Sequence, residues 1–313
     1  MFLSPHQHGF MEKRSTISNL ACFTQFTSKA IDNRQQVDTI YFDFQKAFDQ
    51  IDHFILLDKL KRFGFSEGLL KLFESYLFNR EQYVKYRNYK SNIIKPASGV
   101  PQGSNLGPLL FLLFIDDLGD VISCQKLFFA DDLKLFLKIT STLDCQQLQQ
   151  NICSVCDWAS KNRLSLNKDK CFAMTYSRKK ENIIFPYRIE NSLINRTERI
   201  KDLGILFDTK LQFIEHIHEM VSKSFRTYGF IYRNCRDFTY TRTLCSLFFS
   251  LVRSQLEYGA LIWFPIYQIH IQHIEHVQRV FFNFYAFYLM VLTQQEAMTI
   301  LLYSQDLTFY LST

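Results

Sequence analysis

KLFFADDLKLFLKI, residues 126–139, holds two apolar segments joined at Ala130, Asp131 and Asp132. Aromatic and branched residues on both sides of a short acidic break predict strand, tight turn, strand. Two carboxylates at the tip of an apolar hairpin are unfavourably placed unless the charge is used or paired. Working outward, residues 37–43 (VDTIYFD) predict a buried strand that ends on Asp43. The two acidic sites are far apart in the chain, so a joint role requires the hairpin and the strand to be neighbours in one sheet. Three convergent carboxylates without His or Cys beside them form a hard-oxygen set suited to Mg²⁺. Two such ions about 3.5–4 Å apart catalyse in-line phosphoryl transfer. Spacing alone leaves an equal alternative, a turn acid pair and a helix-capping Asp.

Asp116 and Asp117 supply an internal comparison, because they too follow an apolar run. That run is helical, from about Leu106 to Leu118, and opens from the loop SGVPQGSN at 98–105. A helix end does not aim both carboxylates into a sheet, so this pair is expected to be solvated. Further helices are expected at 53–63, 66–78 and 142–162, and a polar-faced hairpin over 80–97. A turn at Asn167 leads into a strand, and RIKDLGILFD reads as a strand pair broken at Gly204. Beyond Leu211 the pattern is helical, at about 213–233, 240–256 and 269–285.

Composition narrows the class without naming a function. The chain has 313 residues, 47% hydrophobic and 21% charged, which excludes disordered and collagen-like chains. Thirty-two Phe and sixteen Tyr are first explained by an A/T-rich coding sequence and second by rings that face a ligand. A net charge of +6 is compatible with a polyanionic partner. The eight Cys stand in apolar contexts with no signal peptide ahead of them, which reads as reduced thiols in an intracellular protein. Cys153 and Cys156 have no second pair at zinc spacing. His270, His273 and His276 recur every three residues on a predicted helix, where solvated helix positions are favoured over a metal face. The run 109–115 is far short of the ~20 residues that span a membrane, so no membrane partner is expected.

Taken together, YFDFQKAFDQIDH (41–53), ASGVPQGSNLGPLLFLLFIDDL (97–118) and FFADDLKLF (128–136) resemble motifs A, B and C of the reverse transcriptases of non-LTR, LINE-type retrotransposons. QHGFMEKRSTISNL (7–20) is similar to the motif that precedes A in that family, LSLNKDKC (164–171) to motif D, and KDLGILFD (201–208) to motif E. The stretch ending QLEYGALIWFP (255–265) resembles the thumb of jockey-like elements. The resemblance implies an α+β, right-hand polymerase: partial fingers and a palm with a mixed or antiparallel sheet over 1–210, a helical thumb over 211–285, and a non-family tail over 286–313. It implies RNA-directed DNA synthesis with two Mg²⁺ ions, Mn²⁺ being the substitute, on an RNA template with a DNA primer and deoxynucleoside triphosphates.

Residue roles follow from the same resemblance. Asp43, Asp131 and Asp132 would be catalytic and hold the metals, helped by the Phe44 carbonyl. Phe48 would be the bulky gate against a ribose 2′-hydroxyl; a core Phe at a helix start is its other reading. Asp49 would brace locally. Gln102 and Gly103 would touch the incoming sugar, Lys13 and Arg14 the triphosphate, and Lys170 would protonate pyrophosphate. Leu203 and Gly204 would form the primer-grip turn. Lys223, Arg226, Arg233 and Arg236 would line the duplex. The family carries further finger strands ahead of QHGF, so a truncated chain is expected. The rival functions are a catalytically inactive remnant that only binds nucleic acid and an RNA-dependent RNA polymerase, the latter disfavoured by Phe48 and by FADD in place of Gly-Asp-Asp.

Overall fold

The VDTIYFD run becomes β1 (Gln36–Phe42), and all seven of its residues are buried. It is central in its sheet and helices cover both of its faces, so the usual in-out alternation is lost. This computed structural model describes residues 3–235 and 241–292. Arg236, the start of the helix expected from 240, and residues 293–313 of the expected tail lie outside the described residues. The chain divides into two units, Met1–Leu203 with Asp208–Lys210, and Gly204–Phe207 with Leu211–Thr313.

In the first unit α1 (Thr16–Asp32) precedes β1 and was not foreseen in the sequence. Ser15 caps it: the Ser18 amide donates to the Ser15 hydroxyl at 3.2 Å, and the Ser15 amide donates to the Ser18 hydroxyl at 2.9 Å. Leu20, Phe23, Thr27, Ala30 and Ile31 form its buried stripe. After β1 come α2 (His53–Arg62), α3 (Glu67–Leu77), the short strands β2 (Lys85–Tyr86) and β3 (Tyr89–Lys90), and α4 (Leu106–Ile115). Next are β4 (Gln125–Phe129), β5 (Asp132–Ile139), α5 (Thr142–Lys161) and β6 (Phe172–Tyr176). The unit closes with β7 (Arg188–Ile189), β8 (Ser192–Leu193), β9 (Asn195–Arg196) and β10 (Arg199–Asp202).

The main sheet runs β4-β5-β1-β6-β9, antiparallel except for the β6/β9 pair. Ile40 and Phe42, opposite Leu135 and Leu133, face the large core that α4 and α5 complete. On the other face Phe23 of α1 makes edge-on ring contacts with Tyr41, Phe136 and Tyr176. The charged residue of β1 is buried and fully paired with neighbouring polar groups. Asp38 is buried and accepts from Gln36 Nε2 at 2.9 Å, Thr175 Oγ1 at 2.8 Å and the Tyr187 hydroxyl at 2.8 Å.

The expectation that Asp116 and Asp117 are solvated is corrected. Asp116 Oδ1 accepts the Ser4 amide at 2.7 Å, and Asp117 Oδ1 accepts from Lys59 Nζ at 2.6 Å and Trp158 Nε1 at 2.9 Å. Lys59 is buried, with its ammonium 4.7 Å from the ring centroids of both Phe114 and Trp158. The two Asp follow α4 in a 3₁₀ turn (Asp116–Gly119), where both are half-buried and within reach of these donors. Asp117→Asn is therefore expected to cost about 1–3 kcal/mol, because it leaves a buried ammonium without its counter-charge. Lys59→Met should cost less, since the flexible apolar chain keeps the ring contacts. Thermal denaturation of the two variants checks the order, and equal Tm values for Asp117→Asn and wild type would refute it.

The second unit contains β11 (Ile205–Asp208, its last residue assigned to the first unit), α6 (Ile214–Asn234), α7 (Thr241–Leu247), α8 (Ser254–Glu257), α9 (Ala260–Trp263) and α10 (Gln268–Leu292). A single helix was expected to reach 256; instead a π-helical turn, Phe248–Arg253, separates α7 from α8. Ser250 and Ser254 donate their hydroxyls to the carbonyls of Ser246 and Ser250, a pattern that loosens helical turns. Phe248 stacks on Phe281 of α10 with centroids 3.9 Å apart. Among the described residues no helix is long and apolar enough to cross a membrane.

Candidate active site

Pairing fixes the acidic residues more tightly than sequence could. Phe129 pairs with Asp132, so the hairpin loop is only Ala130 and Asp131, and Asp132 is the first residue of β5. Ala130 has φ +55°, the left-handed geometry that two-residue hairpins need. β1 and β5 are in register through Phe42 opposite Leu133. One step further along that register, Asp43 stands across from Asp132. Directly opposed residues share a face, with Cβ atoms typically about 4.5–5.5 Å apart. Asp131 sits beside them in the turn.

The electrostatics record that crowding. Burial raises the Asp131 carboxyl above the usual carboxylate range, and the charge of Asp43 adds to this. Asp132 is pushed up to about 6, first by the protein packed around it and then by the charges of Asp131, Asp202 and Asp43. Asp132 is nonetheless exposed to solvent, at the first position of β5. Three like charges held together with so little compensation form a site that favours a bound cation.

The segment carrying QHGF explains why the turn stays put. His8 N donates to the Phe128 carbonyl at 2.9 Å, and Phe128 N donates to the His6 carbonyl at 3.0 Å. The Gln7 side chain receives the Ala130 amide at 3.0 Å and donates to the Ala130 carbonyl at 3.3 Å. Asn19 of α1 donates to the Phe128 carbonyl at 2.9 Å. Gly9 lies so close that a Cβ there would stand 2.2 Å from the Ala130 nitrogen. Gly9→Ala must push the turn aside, and a misplacement of about 1 Å can cost up to a hundredfold in rate. At least a tenfold loss of primer extension is expected, measured beside a circular dichroism spectrum; unchanged extension would show that the turn tolerates displacement.

A cavity of about 250 Å³ opens beside these acids, lined among others by Asn19, Tyr41, Asp43, Asp132, Lys170 and Leu203. Lys170 ends a short 3₁₀ turn (Lys168–Lys170), with its ammonium 4.0 Å from Asp43 Oδ2. The adjoining strand segment is tied to the end of β1: Asn167 N donates to the Asp43 carbonyl at 2.8 Å and Gln45 N to the Ser165 carbonyl at 2.8 Å. The Phe44 carbonyl takes no part in either bond, although Phe44 itself is buried. Deeper in the cavity wall Lys134 pairs with Asp202, both buried.

The other singled-out residues divide into braces and open positions. Phe48 is partly buried and stacks on Phe111 of α4 with centroids 4.4 Å apart, and the Val100 amide donates to its carbonyl at 2.9 Å. Asp49 ties the two loops together, accepting Ser98 Oγ on its carbonyl at 2.8 Å and Gln102 Nε2 on Oδ1 at 2.9 Å. Gly99, at φ +84°, leaves no room for a Cβ against the Asp49 backbone, whereas Gly103 has φ +76° and open space around it. The Arg14 guanidinium holds the Pro5 and Gln7 carbonyls, so it fastens the QHGF segment. Lys13 is exposed at φ +60°. Leu203 lines the cavity, and Gly204, at φ +90°, would bring a Cβ within 3.0 Å of the Tyr258 ring.

The family model described as reverse transcriptase (RNA-dependent DNA polymerase) matches residues 1–231. The chain belongs to this family. Within the reverse transcriptases it is 31% identical over 233 residues to the RNA-directed DNA polymerase from mobile element jockey of Drosophila melanogaster, which covers 71% of this chain and 25% of that protein. It is 28% identical over 225 residues to the probable RNA-directed DNA polymerase from transposon BS of the same fly, covering 69% and 25%. The chain thus spans about a quarter of the length of these curated relatives. Among solved structures, apo telomerase from Candida tropicalis aligns with a TM-score of 0.51 at 11% identity, over 93% of this chain and 48% of that one. The fold is that of a right-hand polymerase.

Gln7 and Gly9 belong to a motif that the sequence marks only by resemblance, and their fit against Ala130 arises from the fold. The Lys134–Asp202 pair had one weak signal, a lysine between apolar neighbours in β5. No signal pointed from Lys59 to Asp117.

Proposed function

We propose that this chain carries out RNA-directed DNA synthesis, extending a DNA primer on an RNA template with deoxynucleoside triphosphates. The observation that carries the reading is the register that sets Asp43 across from Asp132 with Asp131 in the adjoining turn, in a chain of the reverse transcriptase family. A hard-oxygen donor set with raised carboxyls fits Mg²⁺, with Mn²⁺ as a substitute. Asp43, Asp131, Asp132 and the Phe44 carbonyl are the groups proposed to hold it. Bound there, divalent ions would supply charge stabilisation for phosphoryl transfer and make the primer hydroxyl a better nucleophile.

The chain's own residues would position the reactants. Lys170, beside Asp43, is proposed as the donor of a proton to departing pyrophosphate. Lys13 would meet the triphosphate, with Arg14 fixing the segment that presents it. Gln102, steered by Asp49, and Gly103 would contact the sugar whose 2′ side Phe48 closes. Leu203 and Gly204 would grip the primer. Lys223, Arg226 and Arg233 are exposed along α6 and would meet backbone phosphates.

Primer extension on a homopolymer RNA template, with Mg²⁺ or Mn²⁺ and the complementary deoxynucleotide, tests the proposal. Template-dependent products that vanish on chelation are expected. Tight primer–template binding without any extension would overturn it in favour of the binding-only remnant, and preferential ribonucleotide incorporation would favour an RNA polymerase.

A further inference from the structure

We propose that the second unit binds a transition-metal dication of the Zn²⁺ class through His218 of α6 and His270 and His273 of α10. His270 and His273 recur at three-residue spacing on one helix, whereas His218 lies 52 positions before His270 on another. The packing of α6 on α10 brings the three together: one ring nitrogen from each lies within 4.8 Å of the others. Ring centroids are 5.6 Å apart for His218 and His270, 6.0 Å for His218 and His273, and 6.2 Å for His270 and His273. Three imidazoles on a tetrahedral ion, at about 2.0–2.1 Å each, stand roughly 3.3 Å from one another. Small side-chain rotations therefore close the set.

A second observation points the same way. The expected solvated position is not what His270 occupies: it is buried, only 8% exposed, and its Nδ1 has no hydrogen-bond partner. A buried polar atom left unpaired is unfavourable, and such atoms in native proteins commonly mark a missing water or ion. His218 and His273 are exposed, so an ion can enter from solvent and keep its fourth position for water. An all-imidazole set selects Zn²⁺, Ni²⁺ or Cu²⁺ over Mg²⁺, opposite to the carboxylates of the first unit. The ion would clip α6 to α10.

The test is calorimetric titration of the metal-free full chain with Zn²⁺ in excess Mg²⁺, with visible absorption of Co²⁺ as a second readout. One tightly bound Zn²⁺ per chain that Mg²⁺ does not displace is expected. His218→Ala and His273→Ala, both at exposed positions, should each weaken it at least about tenfold and abolish the Co²⁺ band. Zn²⁺ should also raise the Tm of the parent chain by mass action and not that of His218→Ala. A Cys153→Ser, Cys156→Ser double variant should bind as the parent does. No Zn²⁺ retained against Mg²⁺ would overturn the proposal. So would parental affinity in both His variants, or binding lost only in the Cys variant.

Discussion

Asp131→Asn and Asp43→Asn are each expected to lower primer extension about a thousandfold or more. Removing one ligand of a dication forfeits several kcal/mol of charge stabilisation, and each ~1.4 kcal/mol is a factor of ten in rate. Stability should move the other way. The raised carboxyls of Asp131 and Asp132 mean that folding works against their ionisation at neutral pH. For an acid whose folded pKa lies above its unfolded value, destabilisation is present at high pH and is relieved as pH falls through the folded value. In metal-free buffer near pH 7.5 an Asn at 131 or 132 should therefore melt no lower than wild type, and higher if solvent screening leaves part of the repulsion. Mg²⁺ should raise the wild-type Tm more than that of the variants. A structural carboxylate would behave differently, losing stability and activity together, as Asp117→Asn is expected to do. If Asp131→Asn melts several degrees below wild type and extends primers in proportion to its folded fraction, the metal assignment at the hairpin fails.

The contrast between Asp131 and Asp117 shows where the sequence was legible. Two short apolar runs around an acidic break mark strand, turn and strand, and the hairpin of β4 and β5 forms at that break. The β1 run was equally plain because a strand buried on both faces is rich in apolar and β-branched residues and loses the in-out alternation. What the pattern cannot convey is which distant residue meets a charge. Asp117 looked solvated because its helix ends there, yet Lys59 reaches it from another helix. The same limit hid the bracing of Ala130 by Gln7 and the arrival of His218 beside His270. Helix α1 is legible in a different way: Ser15 and Ser18 form its cap, and Leu20, Phe23, Thr27, Ala30 and Ile31 form a stripe at helical spacing, a signal that the motif resemblance of residues 7–20 overlies.

Phe48→Val is expected to reduce discrimination against ribonucleotides by about a hundredfold, the scale on which one pocket wall separates substrates that differ by a small group. Phe48 stands five residues after Asp43, partly buried and stacked on Phe111, with its backbone tied to Val100. That stacking is what a steric gate needs, since a ring that can rotate away excludes nothing. It is equally what a core residue has, so the two readings must be separated by measurement. A gate acts by differential binding, so its loss should appear in the ratio of kcat/KM for matched deoxy- and ribonucleotides, with the deoxynucleotide value little changed. A packing role forecasts otherwise: truncating a ring in a packed site costs up to about 3–5 kcal/mol, and less where the ring is only partly buried. Incorporation of both sugars would then fall together with Tm. Valine keeps a branched wall against Phe111 and limits the cavity, which makes it a cleaner probe than alanine. Steady-state incorporation of the two sugars by a Phe48→Val chain that melts within a few degrees of wild type decides the matter, and an unchanged sugar ratio would remove Phe48 from the nucleotide site.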